Sequence, residues 1–178
     1  MFKTMNILLT GRPGTGKTWV MKSLIENYET NKQGKVGLID YLYNDELAIT
    51  GKYVGEVFDG SDKLSMAAVS SVADFIDAVD VPVRVFEGDR FTNNSFLKVA
   101  DPFVINIEGD GSEGIKKRGS SQTEQRLKAM KTRYNNFQYH VRVPNSNECL
   151  EMAKAIIAGE FETKDLHLLN GDNQINLF

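Results

Sequence analysis

The apolar residues of this chain fall into short blocks of two kinds. Four blocks are brief and nearly continuous: Asn6–Leu9, Pro82–Phe86, Phe103–Ile107 and Tyr139–Val143. Runs of this length between turn residues predict buried strands, and the first, ending in a glycine-rich turn, suits a parallel sheet. The other blocks recur at helical spacing. Val20, Met21, Leu24, Ile25 and Tyr28 form a stripe after Lys17, broken by Asn31–Gly34. Val72, Phe75, Ile76 and Val79 sit at i, i+3, i+4 and i+7 behind Ser71, a residue type that caps helices. Leu150, Ala153 and Ile157 mark the inward face of a last helix that starts near Asn147 and has Gly159 as its C′ residue. Thr123–Tyr134 also predicts a helix. Val36–Tyr43 and Leu47–Tyr53 are β-prone and flank Asn44-Asp45, which predicts a hairpin, and Phe58–Ser65 is polar and turn-rich. Strands alternating with helices predict an α/β domain over residues 1–159, with a mostly parallel sheet and sites at the carboxyl ends of its strands. Residues 160–178 read as an irregular C-terminal tail.

Length and composition, 178 residues with 41% hydrophobic, fit one domain with an ordinary core. No run approaches the roughly 18 apolar residues that span a bilayer, and Met5–Thr10 is too short for a signal-peptide core, so no membrane partner is expected. The lone Cys149 excludes an internal disulfide framework and a cysteine metal cluster, and fits a reducing, cytoplasmic location. A net charge of −3 does not advertise nucleic-acid binding, but the distribution is uneven. Lys116, Lys117, Arg118, Arg126, Lys128, Lys131 and Arg133 stand against a single acid, Glu124.

Residues 8–19 read L-L-T-G-R-P-G-T-G-K-T-W, and Gly11, Gly16, Lys17 and Thr18 fit the pattern G-x4-G-K-[ST]. Glycines let a backbone wrap around phosphate oxygens, successive N–H groups face the anion, and the following helix adds its positive end. A strand before and an amphipathic helix after are the context such a P-loop needs. The expected nucleotide contacts are Arg12, Pro13, Gly14, Thr15, Gly16, Lys17 and Thr18, with ATP as ligand. Lys17 would reach the β- and γ-phosphates, and the Thr18 hydroxyl would ligate Mg2+.

Three further segments bear on where the phosphate goes. V-R-V-F-E-G-D-R is an apolar strand ending in acids, with Arg90 beside Asp89. Asp89 could orient Mg2+ or take a hydroxyl proton while Arg90 holds a phosphate; a plain surface turn with the two paired is the competing reading. The run D-R-F-T-N-N-S looks like the D-R-Y-x-x-S element of thymidylate-kinase-like enzymes, with the serine one position later. The basic segment, about residues 109–136, reads as a lid whose Arg118, Arg126 and Arg133 compensate charge during phosphoryl transfer. Gly109, Gly111, Gly114 and Gly119 would be its joints, and Arg126 and Arg133, seven apart with Met130 between, would share a helix face. Its competing reading is a solvated basic helix. Last, Asp62 or Asp59 could activate the acceptor, with Lys63 or Ser65 as contacts, against a plain turn. Asp40 is a rival base if Val36–Asp40 is a core strand. His140 and His167 read as structural or solvated.

The order of these motifs, with G-K-Y-V-G-E-V-F-D-G-S-D-K-L-S-M, E-G-D-R-F-T-N-N-S-F-L and R-G-S-S-Q-T-E-Q-R-L-K-A-M-K-T-R-Y-N-N, resembles small phage-encoded P-loop kinases over about residues 6–145. In particular it looks like the 5-hydroxymethyluracil DNA kinases of thymine hypermodification. The resemblance implies a three-layer P-loop NTPase domain with a small hairpin insertion and a basic lid-like segment. It also implies ATP- and Mg2+-dependent phosphorylation of a base hydroxymethyl group in DNA, in a host cytoplasm. Lys17 and Thr18 carry over directly; Asp62, Asp89, Arg118, Arg126 and Arg133 sit in matching motifs, and Lys63 stands where arginine is expected. Tyr53, Phe58, Phe91 and Tyr134 are available to stack an extruded base, with core packing as the alternative. Two other functions stay open: a kinase of free nucleoside monophosphates, and an ATPase or nucleotide switch acting on a partner protein.

Overall fold

The computed structural model describes residues 4–55, 59–109, 111–118, 125, 128–129, 133–134, 137–161, 163 and 167–168, with backbone alone at 117 and 118. Seven strands form one sheet: β1 (Met5–Gly11), β2 (Lys32–Val36), β3 (Ile39–Tyr43), β4 (Leu47–Thr50), β5 (Val83–Glu87), β6 (Phe103–Ile107) and β7 (Val141–Val143). Their spatial order is β2-β3-β4-β5-β1-β6-β7. β4, β5, β1, β6 and β7 are mutually parallel, and β2 and β3 add antiparallel pairs at one edge. Among the described residues five helices have both ends placed: α1 (Lys17–Tyr28), α2 (Val72–Ala78), α3 (Asn94–Ala100), α4 (Ser112–Arg118) and α5 (Ser146–Ile157). Among the described residues no helix is long and apolar enough to cross a membrane.

The central strands β1, β4, β5 and β6 are mostly apolar and buried because both faces of the sheet are covered there. In β1, Ile7 and Leu9 point to one side, where α1 and α5 supply Val20, Met21, Leu24, Cys149, Ala153 and Ile156. Leu8 points to the other, where α2 and α3 bring Val72, Phe75 and Phe96. On that side Phe86 meets Phe75, Phe91 and Phe96 edge-on, with ring centroids 5.6, 5.1 and 4.8 Å apart. Each such fully buried ring contributes roughly 1.5–3 kcal/mol. The chain is therefore an α/β domain with helices on both faces of a mostly parallel sheet.

Several expectations need adjusting. Val36–Tyr43 is not one strand; it turns at Gly37-Leu38, so Lys32–Val36, expected in part to be a break, is a strand. Asp40 consequently lies in the hairpin, near Lys35 and Lys52, each 3.6 Å away, and not in the core. The hairpin at Asn44-Asp45 does form, its turn held by Asn44 Oδ1, which accepts from the N–H groups of Glu46 and Leu47. It is the edge of the main sheet rather than an appendage. Ser71 precedes α2 without capping it, because its Oγ accepts from Leu38 N at 2.9 Å across the hairpin turn. α5 begins at Ser146, capped by Asn145, and buries Cys149, Ala153 and Ile156 more deeply than Leu150 and Ile157. Of the tail, Phe161 packs on Phe103 at 5.9 Å.

Candidate active site

β1 ends at the centre of the sheet, between β5 and β6, and delivers the chain into a glycine-rich turn. Gly11, Gly14 and Gly16 have φ of 149°, 82° and 93°, backbone that side-chain-bearing residues rarely adopt. Lys17 is 9% exposed and folds back over the turn, its Nζ donating to the carbonyls of Gly11 (2.7 Å) and Arg12 (3.0 Å). Thr15 closes the same turn through Oγ1 to the Arg12 carbonyl at 2.8 Å. Gly16 occupies the N-cap of α1 and brings no capping side chain. The first N–H groups of α1 thus lack a side-chain cap, beside the buried ammonium and at the positive end of the helix dipole. Thr18 follows, half-buried.

The turn is tightly enclosed. A Cβ on Gly111 would overlap the Pro13 carbonyl oxygen, and one on Gly114 the Gly14 carbonyl oxygen. A Cβ on Gly16 would stand 2.8 Å from the Ser146 Cβ, so α5 closes on the other side. Gly111 and Gly114 were expected as joints of the basic segment; Gly114 instead lies inside α4, and both permit backbone contact with the turn. Gly109 and Gly111 keep positive φ, as joints would. Gly119 lies outside the described residues.

β5 runs parallel to β1 with Leu9 opposite Glu87, which sets the acids beside the turn. Glu87 is 3% exposed. Burial pushes its carboxyl above the ordinary carboxylate range; Lys17 pulls it back, Asp62 pushes it up again, and hydrogen bonds from Ser61 lower it. Those bonds run from Ser61 N (3.3 Å) and Oγ (3.4 Å) to Glu87 Oε1. The position a Cβ would take on Gly60 is 2.6 Å from Glu87 Oε1 and 3.7 Å from the Thr18 methyl carbon Cγ2, so the backbone at Gly60 packs closely on both. Asp89 is half-buried, and its carboxyl is also raised, first by burial, with Lys17, Arg133 and Arg90 opposing and Asp62 reinforcing.

The remaining candidates divide clearly. Asp62 is exposed on a 3-10 turn (Ser61–Lys63), close enough to raise both other acids. Asp59 has a side chain with no exposure; it accepts from Val54 N and Gly55 N and pairs with Lys22 at 3.0 Å, so it ties Val54 and Gly55 to α1. Ser65 Oγ accepts from Ala67 N, a local turn contact. Arg90 donates to the carbonyls of Leu64 (3.2 Å) and Asp62 (3.1 Å), which ties the 3-10 turn to the end of β5. Arg133 reaches the site from the basic segment, donating to the carbonyls of Asp89 (3.3 Å) and Thr92 (2.8 Å). Tyr134 beside it is buried, donates its phenol hydrogen to Asp89 Oδ1, and lies under Lys17 Nζ, 5.7 Å from the ring centroid. The described residues Gln125, Lys128, Ala129, Arg133 and Tyr134 are helical, as expected. Arg126, Met130 and Phe58 lie outside the described residues, and Arg118 ends α4 with only its backbone described.

Of the aromatic candidates, Phe91 is core, and Tyr53 donates to the Thr50 carbonyl at 3.0 Å, its phenol raised by burial and by nearby Glu87 and Asp59. His140 is structural: it stacks on Phe103 at 4.8 Å and its Nδ1 accepts from Val104 N. Cys149 lies on the Lys17 side of the sheet, its thiol pushed up to about 12 by burial. The sequence reading did not single out Glu87 or Ser61. For Glu87 the signal was present, since an acid ending an apolar strand beside β1 must lie near the turn; Ser61 gave none. No model of a known protein family matches the chain, and no curated protein sequence does.

Proposed function

We propose that the protein is a P-loop kinase that transfers the γ-phosphoryl group of ATP to a hydroxyl, with 5-hydroxymethyluracil in DNA as the acceptor. The observation that carries this reading is the buried Lys17 folded over the glycine-rich turn, with Glu87 ending the adjacent β5 opposite Leu9 and Asp89 two residues beyond it. Lys17 and the N-terminal N–H groups of α1 bind the donor phosphates. Glu87 and Thr18 carry hard oxygen donors of the kind Mg2+ takes, one at the end of β5 beside the turn and the other in the first turn of α1. Bound there, Mg2+ would neutralise charge between the β- and γ-phosphates.

Asp89 accepts the proton. Its raised carboxyl brings it closer to neutrality than an ordinary aspartate, the direction that favours general-base work. The acceptor oxygen forms its bond to the γ-phosphorus, the bond from that phosphorus to the bridging oxygen breaks, and ADP leaves; the hydroxyl proton passes to Asp89. Arg133, whose guanidinium lies at the Asp89 carbonyl, compensates charge on the transferring group, the role that the sequence also suggests for Arg118 and Arg126. The acceptor side also favours a neutral hydroxyl over a nucleotide's phosphate. Asp89 stands there, and Arg90 is tied to the backbone carbonyls of Leu64 and Asp62.

Transfer of label from γ-labelled ATP to 5-hydroxymethyluracil DNA, unmodified DNA and free deoxynucleotides tests the reading, with Lys17→Ala as the blank. Label is expected on the modified DNA alone and absent with Lys17→Ala. Equal labelling of mononucleotides would favour a monophosphate kinase, and phosphate release without a labelled acceptor would favour an ATPase; either result removes the proposal.

A further inference from the structure

We infer that Ser61 is a positioning residue, which holds the Glu87 carboxylate in one orientation beside the Lys17 turn; its catalytic meaning rests on the kinase reading above. Ser61 has no exposed surface, and both of its donors converge on one oxygen, Oε1, so neither uses Oε2. The approach depends on a glycine on each side. A Cβ on Gly60 would stand 2.6 Å from Glu87 Oε1, and one on Gly88 would stand 2.7 Å from Ser61 Oγ. These two glycines adopt φ of 100° and 83°. The chain therefore crosses itself as Gly60-Ser61 over Glu87-Gly88, with side chains removed wherever they would hold serine and acid apart.

The serine side of this clasp is held from several directions. Gly60 exchanges backbone hydrogen bonds with Lys52 at 2.7 and 3.0 Å. Asp59 is locked by Val54, Gly55 and Lys22, and Arg90 grips the carbonyls that follow, those of Asp62 and Leu64. A serine placed so firmly on a buried acid stabilises one carboxylate rotamer, and it supports the ionised form that burial opposes. Both donors are at long range, as catalytic hydrogen bonds often are before ligands bind.

A double-mutant cycle with Ser61→Ala and Glu87→Gln decides the matter, because a residue acting through Glu87 has nothing left to position once that acid is neutral. Ser61→Ala should lower kcat about 10- to 100-fold with KM for ATP within about twofold, and should add no loss to Glu87→Gln. The same multiplicative loss in both backgrounds, or an unchanged kcat, overturns the inference. Ser61→Cys keeps the volume with a weak donor and should reproduce the kcat loss, which guards against a poorly folded alanine variant. A second readout needs no acceptor. Trp19, the chain's single tryptophan, is exposed next to Thr18, so its fluorescence follows nucleotide binding. Mg2+ should tighten ATP binding less in Ser61→Ala than in the wild type. If no acceptor is ever labelled, the kinase reading fails alone. The clasp is then judged by thermal unfolding of the same four proteins, where additive effects refute it.

Discussion

Glu87→Gln should produce a more stable protein that transfers phosphate poorly. The carboxyl is 3% exposed and raised, which means that the fold disfavours its ionised form despite Lys17 and Ser61. The sign follows from linkage. Stability contributed by the protonated acid is full below the unfolded value near 4.3 and is lost as pH rises through the higher folded pKa. Above its folded pKa the wild type carries the whole penalty and the glutamine variant, close to the protonated acid in shape, carries none. Between those limits the stability gap should open at up to about 1.4 kcal/mol per pH unit, then level off. For a chain of this size each kcal/mol moves Tm by about 2–4 °C. The assay is thermal unfolding of both proteins from pH 4 to 8, with chelator present so that metal binding does not contribute. In parallel, transfer at saturating ATP should fall about 10²- to 10³-fold, the scale for losing one preorganised electrostatic group. A variant less stable than wild type at pH 7.5, or a gap constant across the range, would refute the argument. It would mean that Lys17 and Ser61 outweigh the cost of burial, and that Glu87 is a structural ion-pair partner.

Two further predictions concern polar groups that hold the fold. Arg84 is 4% exposed within β5 and donates to the carbonyls of Ile76 and Val79, both at 2.8 Å, so it caps the last turn of α2. Arg84→Met should cost about 2–4 kcal/mol in chemical denaturation, since charge-assisted bonds contribute roughly 1.5–3 kcal/mol each and relief from burying a cation offsets part of the loss. An unchanged midpoint would show that the cap contributes nothing. His140 is held neutral: burial lowers its pKa against the pull of Asp101, and Nδ1 accepts from Val104 N. Its contribution is full above about pH 6.5 and lost as pH falls through its lower folded pKa, so wild-type Tm should drop there relative to His140→Asn. Parallel Tm curves for the two proteins would rule this out.

How far the sequence revealed this molecule depends on the range of the interaction that decides each feature. β6 was read to the residue, and β1 and β5 to within two, because a short apolar run between turn residues specifies a buried strand locally. α5 was found but turned about its axis. Its apolar residues come in adjacent pairs, Cys149-Leu150, Met152-Ala153 and Ile156-Ile157, and neighbours 100° apart give two nearly equal stripes. Only the position of β6 and β7 beneath the helix chooses between them. The hairpin was misread for a related reason: V-G-L-I looks continuous, yet Gly37 at φ 55° turns the chain and leaves Leu38 39% exposed.

The candidate site follows the same rule. The Lys17 turn was legible because its backbone geometry is written in glycines a few residues apart. The surroundings of the acids were not legible, since they come from residue 61, 26 positions from Glu87, and from Arg133 and Tyr134, over 40 positions from Asp89. Glycines at such sites are ambiguous in sequence. Gly111 and Gly114 read as lid joints, but their missing side chains let α4 touch the Pro13-Gly14 backbone, while Gly60 and Gly88 let Ser61 reach Glu87. All four permit contact between segments far apart in the chain, a role that local pattern does not encode. Contact of this kind also makes a prediction about coupling that flexibility does not: movement of α4 cannot be independent of the turn it rests on. The basic segment that continues from α4 should therefore respond to whatever occupies that turn.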